Sequence, residues 1–388
     1  MVRRFVVLAV ALTLFGALVP SAGAQDPGTG TVSLESDADV VRWGQNVRLS
    51  GEVSTGEEGA EIRILDQDDT VVAEAVTGAG GVYEAKFVPR RNVVLHAEWL
   101  TVQSPSVRVR VKPIVKVNLY HVELFGRALA TGNVQPGVPG QRVALKLRRN
   151  GRVVAKKTVA TDDGRYFKAR FRIRKPGSYT VRASADPAGL ASAGKTSRTR
   201  RTSSLPGLGI GSSGPYVKRL EWRLRDLGYY LPRADASFDE KTRDALLAFT
   251  KVQRSSRVGS VTASTWRRLA SPIKAKPRVK SKFHLEIDQS RQVIFVVKNR
   301  KVKWILHTST GKASTPTRDG VWKVYAKIAG YSPKRLYYPS FFDGGRAIHG
   351  WPDVPIYPAS HGCARVPMWA AQWIYGIAES GTTVRVYH

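Results

Sequence analysis

The chain has 388 residues, of which 42% are hydrophobic, and carries 62 Lys and Arg against 30 Asp and Glu, a formal net charge of +32. That apolar content excludes a disordered chain, and the length predicts several domains on a prior of about 100–200 residues each. The charge predicts attraction to a polyanion. The single cysteine, Cys363, excludes an internal disulfide and a thiolate metal site.

Residues 1–24 have the pattern of a signal peptide: basic Met1-Val2-Arg3-Arg4, a short apolar run from Phe5 to Val19, and the small-residue cleavage signal Ala22-Gly23-Ala24 before Gln25. An uncleaved anchor is the alternative, but the apolar run is shorter than the roughly 20 residues a spanning helix needs. Export is expected, to the space outside the cytoplasmic membrane. In that oxidising setting a lone thiol is a candidate reagent, and nucleic acid is not an expected partner. The chain also lacks zinc-finger spacing, an aromatic RNA-binding motif and a dense basic helix.

Residues 31–112 alternate as short strands broken by Gly, Asp and Asn, and residues 113–186 repeat the plan. Gly140-Gln141-Arg142-Val143 echoes Gly44-Gln45-Asn46-Val47, Val153-Val154-Ala155 echoes Val71-Val72-Ala73, and Gly164-Arg165-Tyr166 answers Gly81-Val82-Tyr83. Strands at this spacing predict a β-sandwich, and the echo predicts two tandem copies, which resemble bacterial immunoglobulin-like modules. They gather no reactive side chains, so reach and orientation are their expected job. From 187 to 208 the chain turns small, polar and basic, and a flexible linker is expected.

Over residues 209–271 the period becomes helical. Val217, Leu220 and Leu224 mark one helix, Asp239 is an N-cap for a second that carries Ala245, Leu246, Phe249 and Val252 inward, and Trp266 with Leu269 marks a third. The succession Gly211, Gly214, Val217, Leu220, Leu227-Gly228-Tyr229, Phe238-Asp239, Thr242, Ala245, Phe249, Trp266, Leu269 resembles the peptidoglycan-binding-like domain of wall enzymes, departing from it at Glu221 and Thr250, where glutamines are common. The run from Lys274 to Lys282 suggests a second basic tether. Residues 282–388 are then mostly β, with only Pro367 to Ile377 helical in pattern and Pro367 suited to its first turn. The expected architecture is therefore multidomain and mainly β: two tandem sandwiches, a small three-helix bundle and a C-terminal mostly-β domain.

That last domain holds the chemistry. A cysteine nucleophile needs a base, a group to orient the base, and donors for the oxyanion. His349-Gly350 follows a strand edge, and Cys363 lies in Ser360-His361-Gly362-Cys363-Ala364-Arg365, expected at the opening of the helix, where the N-terminus would favour thiolate and its free N–H groups would face an oxyanion. Gly362 would permit close approach of a substrate backbone. Packing is the competing reading for Cys363 and His349. A structural hydrogen bond explains His361 as well as oxyanion support does, and Arg365 suits holding the turn as well as attracting a carboxylate. Tyr338 and Phe341 are candidate walls of an acyl-donor cleft, although aromatics beside a strand are commonly core. His307 and His388 have no identifiable partners. No metal or other cofactor is expected, because no His, Asp and Glu set has metal spacing.

Ile348-His349-Gly350, Ser360 to Arg365, Ser309-Thr310-Gly311 and Thr315-Pro316-Thr317-Arg318-Asp319-Gly320 together resemble the L,D-transpeptidase catalytic domain of YkuD type, over about residues 282–388. Position by position, the resemblance implies Cys363 as nucleophile, His349 as base, the Gly350 carbonyl as its orienter, and the backbone near Gly362 and Cys363 as oxyanion hole. It implies supporting roles for Ser360, His361 and Arg365. Where the family often carries an acidic residue in the helix, this chain has Ala370 and Ala371. The implied partners are peptidoglycan stem peptides and glycan, with anionic wall polymers drawn by charge and carbapenems acylating Cys363. The implied reaction cleaves a tetrapeptide stem after its third residue, releases D-alanine and joins the acyl group to a neighbouring side-chain amine as a 3-3 crosslink. An L,D-carboxypeptidase or crosslink-cleaving hydrolase on the same residues is the enzymatic alternative, and a non-catalytic wall-binding protein the other.

Overall fold

A computed structural model describes residues 30–388, so the expected signal peptide lies outside the described residues. The described residues form two units, one comprising 30–114 with Asp186–Ser192, the other Val115–Ala185 with Ala193–His388. Among the described residues, no helix is long and apolar enough to cross a membrane.

The first unit packs two sheets. One pairs Val47–Glu52 with Glu35–Ser36 and Val82–Phe87; the other runs Val40–Arg42, Val107–Lys112, Val93–Trp99, Glu61–Asp66, Val71–Val76. Strict alternation drives the packing: along Val93–Trp99 every second side chain is buried, and Leu49, Ile62, Ile64 and Leu95 meet in the core.

The second unit begins with another pair of sheets. Arg127–Gln135 lies between Ile114–Tyr120 and Tyr166–Arg172, and Arg142–Arg149 lies between Arg152–Ala160 and Ser178–Ala185. Residues 187–208, expected to be a flexible linker, are structured instead. Asp186–Ser192 belongs to the first unit, where Leu190 joins the core. Ala193–Thr196 and Arg200–Arg201 then pair with Ser178–Ala185. Ser197 is buried and its hydroxyl accepts from the Val181 N–H. The small polar composition is that of an edge strand fixed by its ladder rather than by its side chains.

Three helices follow: α1 (Pro215–Asp226), α2 (Glu240–Val252) and α3 (Ala263–Ala270). The Asp239 carboxylate accepts from the Thr242 N–H at 3.0 Å, and Thr262 and Thr265 cap α3 reciprocally. The helical core does not close on itself. Leu205 and Leu208 enter it from the preceding segment, and Val293, Phe295 and Ile305 enter it from the C-terminal sheet. Nor is the basic run at 274–282 a tether. The N–H groups of Arg278 and Val279 each donate to the Glu286 carboxylate at 3.0 Å, and the Ile273 N–H donates to Gln253 at 2.7 Å. Glu286 is fully buried and needs such donors, which no local pattern announces.

The C-terminal domain has two sheets. The five-stranded one runs Lys301–His307, Val293–Lys298, Phe283–Asp288, Thr383–Tyr387, Gly320–Lys323; the four-stranded one runs Ala326–Lys327, Tyr337–Asp343, Arg346–Trp351, Ala364–Pro367. Leu285, Ile287, Ile294 and Val384 from the first pack with Ile348 and Val366 from the second and with Ala371 and Ile374 of α4 (Met368–Ile377).

Candidate active site

Cys363 does not open a helix. It immediately precedes the strand Ala364–Pro367, and α4 begins only at Met368, so the expected activation by a helix N-terminus is absent. Val366 alternates with Arg365 as a core residue, and this two-residue period carries the segment into the sheet before Pro367 can start a helix.

The strand Ala364–Pro367 runs parallel to Arg346–Trp351, with Ile348 opposite Ala364 and His349 opposite Arg365. Carrying that register back one residue sets Cys363 beside Ala347, whose N–H donates to Sγ at 3.4 Å. Residues opposite one another share a face and successive residues alternate, so Cys363, Arg365, Ala347 and His349 all project to one side. His349 is thus the diagonal neighbour of Cys363, one pleat along the adjacent strand.

The buried His349 ring is oriented by its own chain. Its Nδ1–H donates to the Gly350 carbonyl at 2.9 Å, which leaves Nε2 as the basic lone pair. Trp351 meets the ring edge-on at 5.7 Å. Gly350 is required by close packing: a Cβ there would lie 2.7 Å from the Ala371 Cβ of α4. The alanine at 371 therefore lets the helix seat against the histidine strand.

Gly362 has φ +111°, which a side chain rarely adopts. Its N–H donates to Ser360 Oγ at 3.1 Å, and the same hydroxyl donates to the Cys363 carbonyl at 2.6 Å. Buried Ser360 thus closes the turn that presents the thiol, and the Gly362 N–H is committed within the turn. His361 is exposed, and Cys363 is partly exposed.

Burial sets the charges. It pushes His349 down to about 4, assisted by the nearby Arg365 and opposed by the Gly350 carbonyl. It pushes the Cys363 thiol up, against the Ala347 N–H and the cations Arg365, Arg346 and Lys334. At neutral pH the resting pair is therefore thiol and neutral imidazole. Arg365 lies over the Trp351 ring at 5.1 Å, and its backbone is pinned by Ser309 and by the Thr308 hydroxyl at 2.6 Å. Arg346 reaches Asp343 at 3.2 Å. Phe341 pairs with Ala347 across the sheet, which places it in one row with Cys363 and on the site's face. Tyr338 instead occupies a bulge at φ +48° and packs edge-on against Tyr337 and Tyr375.

Three features have no signal in the local sequence. His307, which showed no partner, accepts at Nδ1 from Lys251 at 2.6 Å, while its Nε2–H donates to the Val354 carbonyl at 2.8 Å. Lys251, almost fully buried on α2, also donates to the carbonyls of Gln292 and Thr308, each at 2.9 Å. Burial and Arg257 pull this lysine down to about 6, while three converging acceptors favour its ammonium form. Gln292 holds Thr310 through both its backbone and its hydroxyl. His388 lies 3.0 Å from Asp319.

Residues 282–386 match the family of the L,D-transpeptidase catalytic domain, and residues 213–269 match that of a putative peptidoglycan binding domain. Among solved structures, an L,D-transpeptidase (residues 123–326) from Xylanimonas cellulosilytica is 33% identical over 46% of this chain and 97% of that one, with a TM-score of 0.44. An L,D-transpeptidase from Stackebrandtia nassauensis is 25% identical over 47% of this chain and 95% of that one, with a TM-score of 0.30. A mutant L,D-transpeptidase from Enterococcus faecium is 27% identical over 28% and 50%, with a TM-score of 0.25. No curated protein matches the chain.

Proposed function

The chain belongs, through residues 282–386, to the L,D-transpeptidase family, and from that premise we propose that it is an exported enzyme that forms 3-3 peptidoglycan crosslinks through a thioester on Cys363. The observation that carries the reading is the parallel register that sets a tautomerically fixed His349 diagonal to Cys363 on one face.

In this mechanism His349 Nε2 takes the Sγ proton as sulfur attacks the carbonyl of the third stem residue. Because the resting pair is neutral, the proton moves with the attack rather than before it. The Cys363 N–H receives the oxyanion, the Gly362 N–H being held by Ser360. Collapse breaks the C–N bond, His349 returns the proton to the departing D-alanine amine, and the acyl group remains on sulfur. An acceptor amine then attacks the thioester, gives its proton to His349 and leaves the thiol restored. Exchanging one amide for another is nearly isoenergetic, so no external energy source is needed. Arg365 and Lys334 supply positive charge for the carboxylates of the stem.

Tetrapeptide stems incubated with and without excess acceptor amine test the proposal. Crosslinked dimer that disappears in Cys363→Ala supports it; free tripeptide with no dimer assigns the site to hydrolysis. Carbapenem exposure should add one inhibitor mass to the intact protein and none to Cys363→Ala, and an unmodified wild-type protein would overturn the assigned nucleophile.

A further inference from the structure

A groove of about 1130 Å³ lies between α1 and the sandwich that precedes it. Helix α1 supplies one wall through Lys218, Arg219, Trp222, Arg223 and Asp226, a stripe at i, i+1, i+4, i+5 and i+8, opposite the Val217, Leu220 and Leu224 stripe that enters the core. The walls are held together: Arg219 pairs with Glu123 at 2.7 Å, and Phe125 packs on Trp266 with ring centres 6.0 Å apart.

The lining is strongly one-sided in charge. Arg127, Arg172, Arg174, Lys175, Lys218 and Lys274 are all exposed into or beside the groove, and none has a carboxylate partner among the described residues. Asp226 is the only acidic residue of the lining, and Arg223 occupies it at 2.5 Å. Cations lining a concavity reinforce one another's field, which scattered surface lysines do not. Six unpaired cations spread along an open groove suit a chain of repeating anions rather than one phosphate. Trp222 is 58% exposed, with the Arg225 guanidinium 5.6 Å from its ring, and offers a flat apolar face to a sugar or polyol unit.

The geometry points to this groove as the binding site of a phosphodiester-linked polyol or glycan polymer, engaged by the six cations and by Trp222. The choice of a wall polymer over nucleic acid rests on the proposed function, since that reading puts the chain outside the membrane. Such an anchor is separate from the catalytic face and would hold the enzyme on anionic wall while Cys363 turns over.

Binding to a poly(glycerol phosphate) oligomer, followed by calorimetry on the full chain across a salt series, tests the assignment without requiring turnover. Arg172→Gln/Arg174→Gln/Lys218→Gln should weaken binding at least about tenfold and flatten the log–log salt dependence by about three. Trp222→Ala should weaken it by about fivefold or more. A control, Lys146→Gln/Arg152→Gln/Lys156→Gln, removes three exposed cations outside the groove and should change affinity by less than about twofold. Equal losses for the two triple variants, absence of saturable binding, or tighter binding of an oligonucleotide of equal charge would each overturn the proposal. Crosslinking by the wild type is measured in parallel, so failure of the enzymatic reading is seen separately from failure of the groove.

Discussion

Two histidines in the C-terminal domain, His349 and His307, are buried alike, and burial pushes them down to about 4 and about 3. Each donates one ring N–H to a backbone carbonyl, but from opposite nitrogens. His349 uses Nδ1 on Gly350, so its Nε2 lone pair faces the side of the sheet that carries Cys363. His307 uses Nε2 on Val354, and its Nδ1 lone pair is consumed by Lys251. Desolvation therefore does not distinguish the imidazole proposed as base from the one held in the Lys251 cluster. What distinguishes them is which nitrogen the main chain occupies and what meets the other.

The comparison breaks first at the chemistry. His349→Asn should lower kcat/KM for crosslinking by about 100-fold or more with little change in unfolding midpoint. His307→Asn should do the reverse, lowering the midpoint while each folded molecule keeps its turnover to within severalfold. Equal kinetic losses in the two variants would erase the distinction.

The pH profile sharpens it. With the folded His349 pulled down to about 4, the base remains available far into acid, so the acid limb of kcat/KM should fall near pH 4 rather than near the ordinary imidazole value of about 6.5. A limb at pH 6 or above would mean that the ring is charged more readily than its burial allows.

Beneath the site, Lys251→Met should cost about 2–4 kcal/mol in urea unfolding near pH 10, where keeping the amine neutral costs the folded state little and the buried acceptors around Nζ lose its two N–H donors. The sign of its pH effect follows from a folded value of about 6 against 10.5 in the unfolded chain. Between these values the unfolded state binds more protons, so stability should rise with pH by up to about 1.4 kcal/mol per unit, and the slope should vanish in Lys251→Met. A wild type with no such slope would mean that the three acceptors hold the ammonium form throughout.

The smallest effect concerns the helix behind the histidine. Gly350→Ala drives a methyl to within 2.7 Å of Ala371 and should destabilise by about 1–3 kcal/mol, with Ala371→Gly restoring part of the loss. Absence of any rescue would show that α4 does not constrain the histidine strand.

Much of this was readable from short stretches of chain. The 3.6-residue period of Val217, Leu220 and Leu224 and the cap at Asp239 depend on near neighbours, and the helices form where that pattern places them. The His349-Gly350 and Ser360 to Arg365 motifs carry their partners within a few residues: Nδ1 to the next carbonyl, and the Ser360 hydroxyl to the turn it closes. Cys363 looked like a helix opening because Pro367 and the tryptophans beyond it are helical in pattern. Its pairing partner is Ala347, sixteen positions back, and the ladder decides the conformation.

The His349 and Cys363 motifs, the three helices and the alternation along the strands are legible in the chain, since these rest on bonds and periods spanning only a few residues. Tertiary structure alone decided that the polar stretches at 187–208 and 274–282 are pinned, that α2 sends Lys251 to His307 across 56 positions, and that thiol and imidazole share a face. A buried donor and its acceptor need meet only in space, and spacing along the chain carries no trace of that meeting.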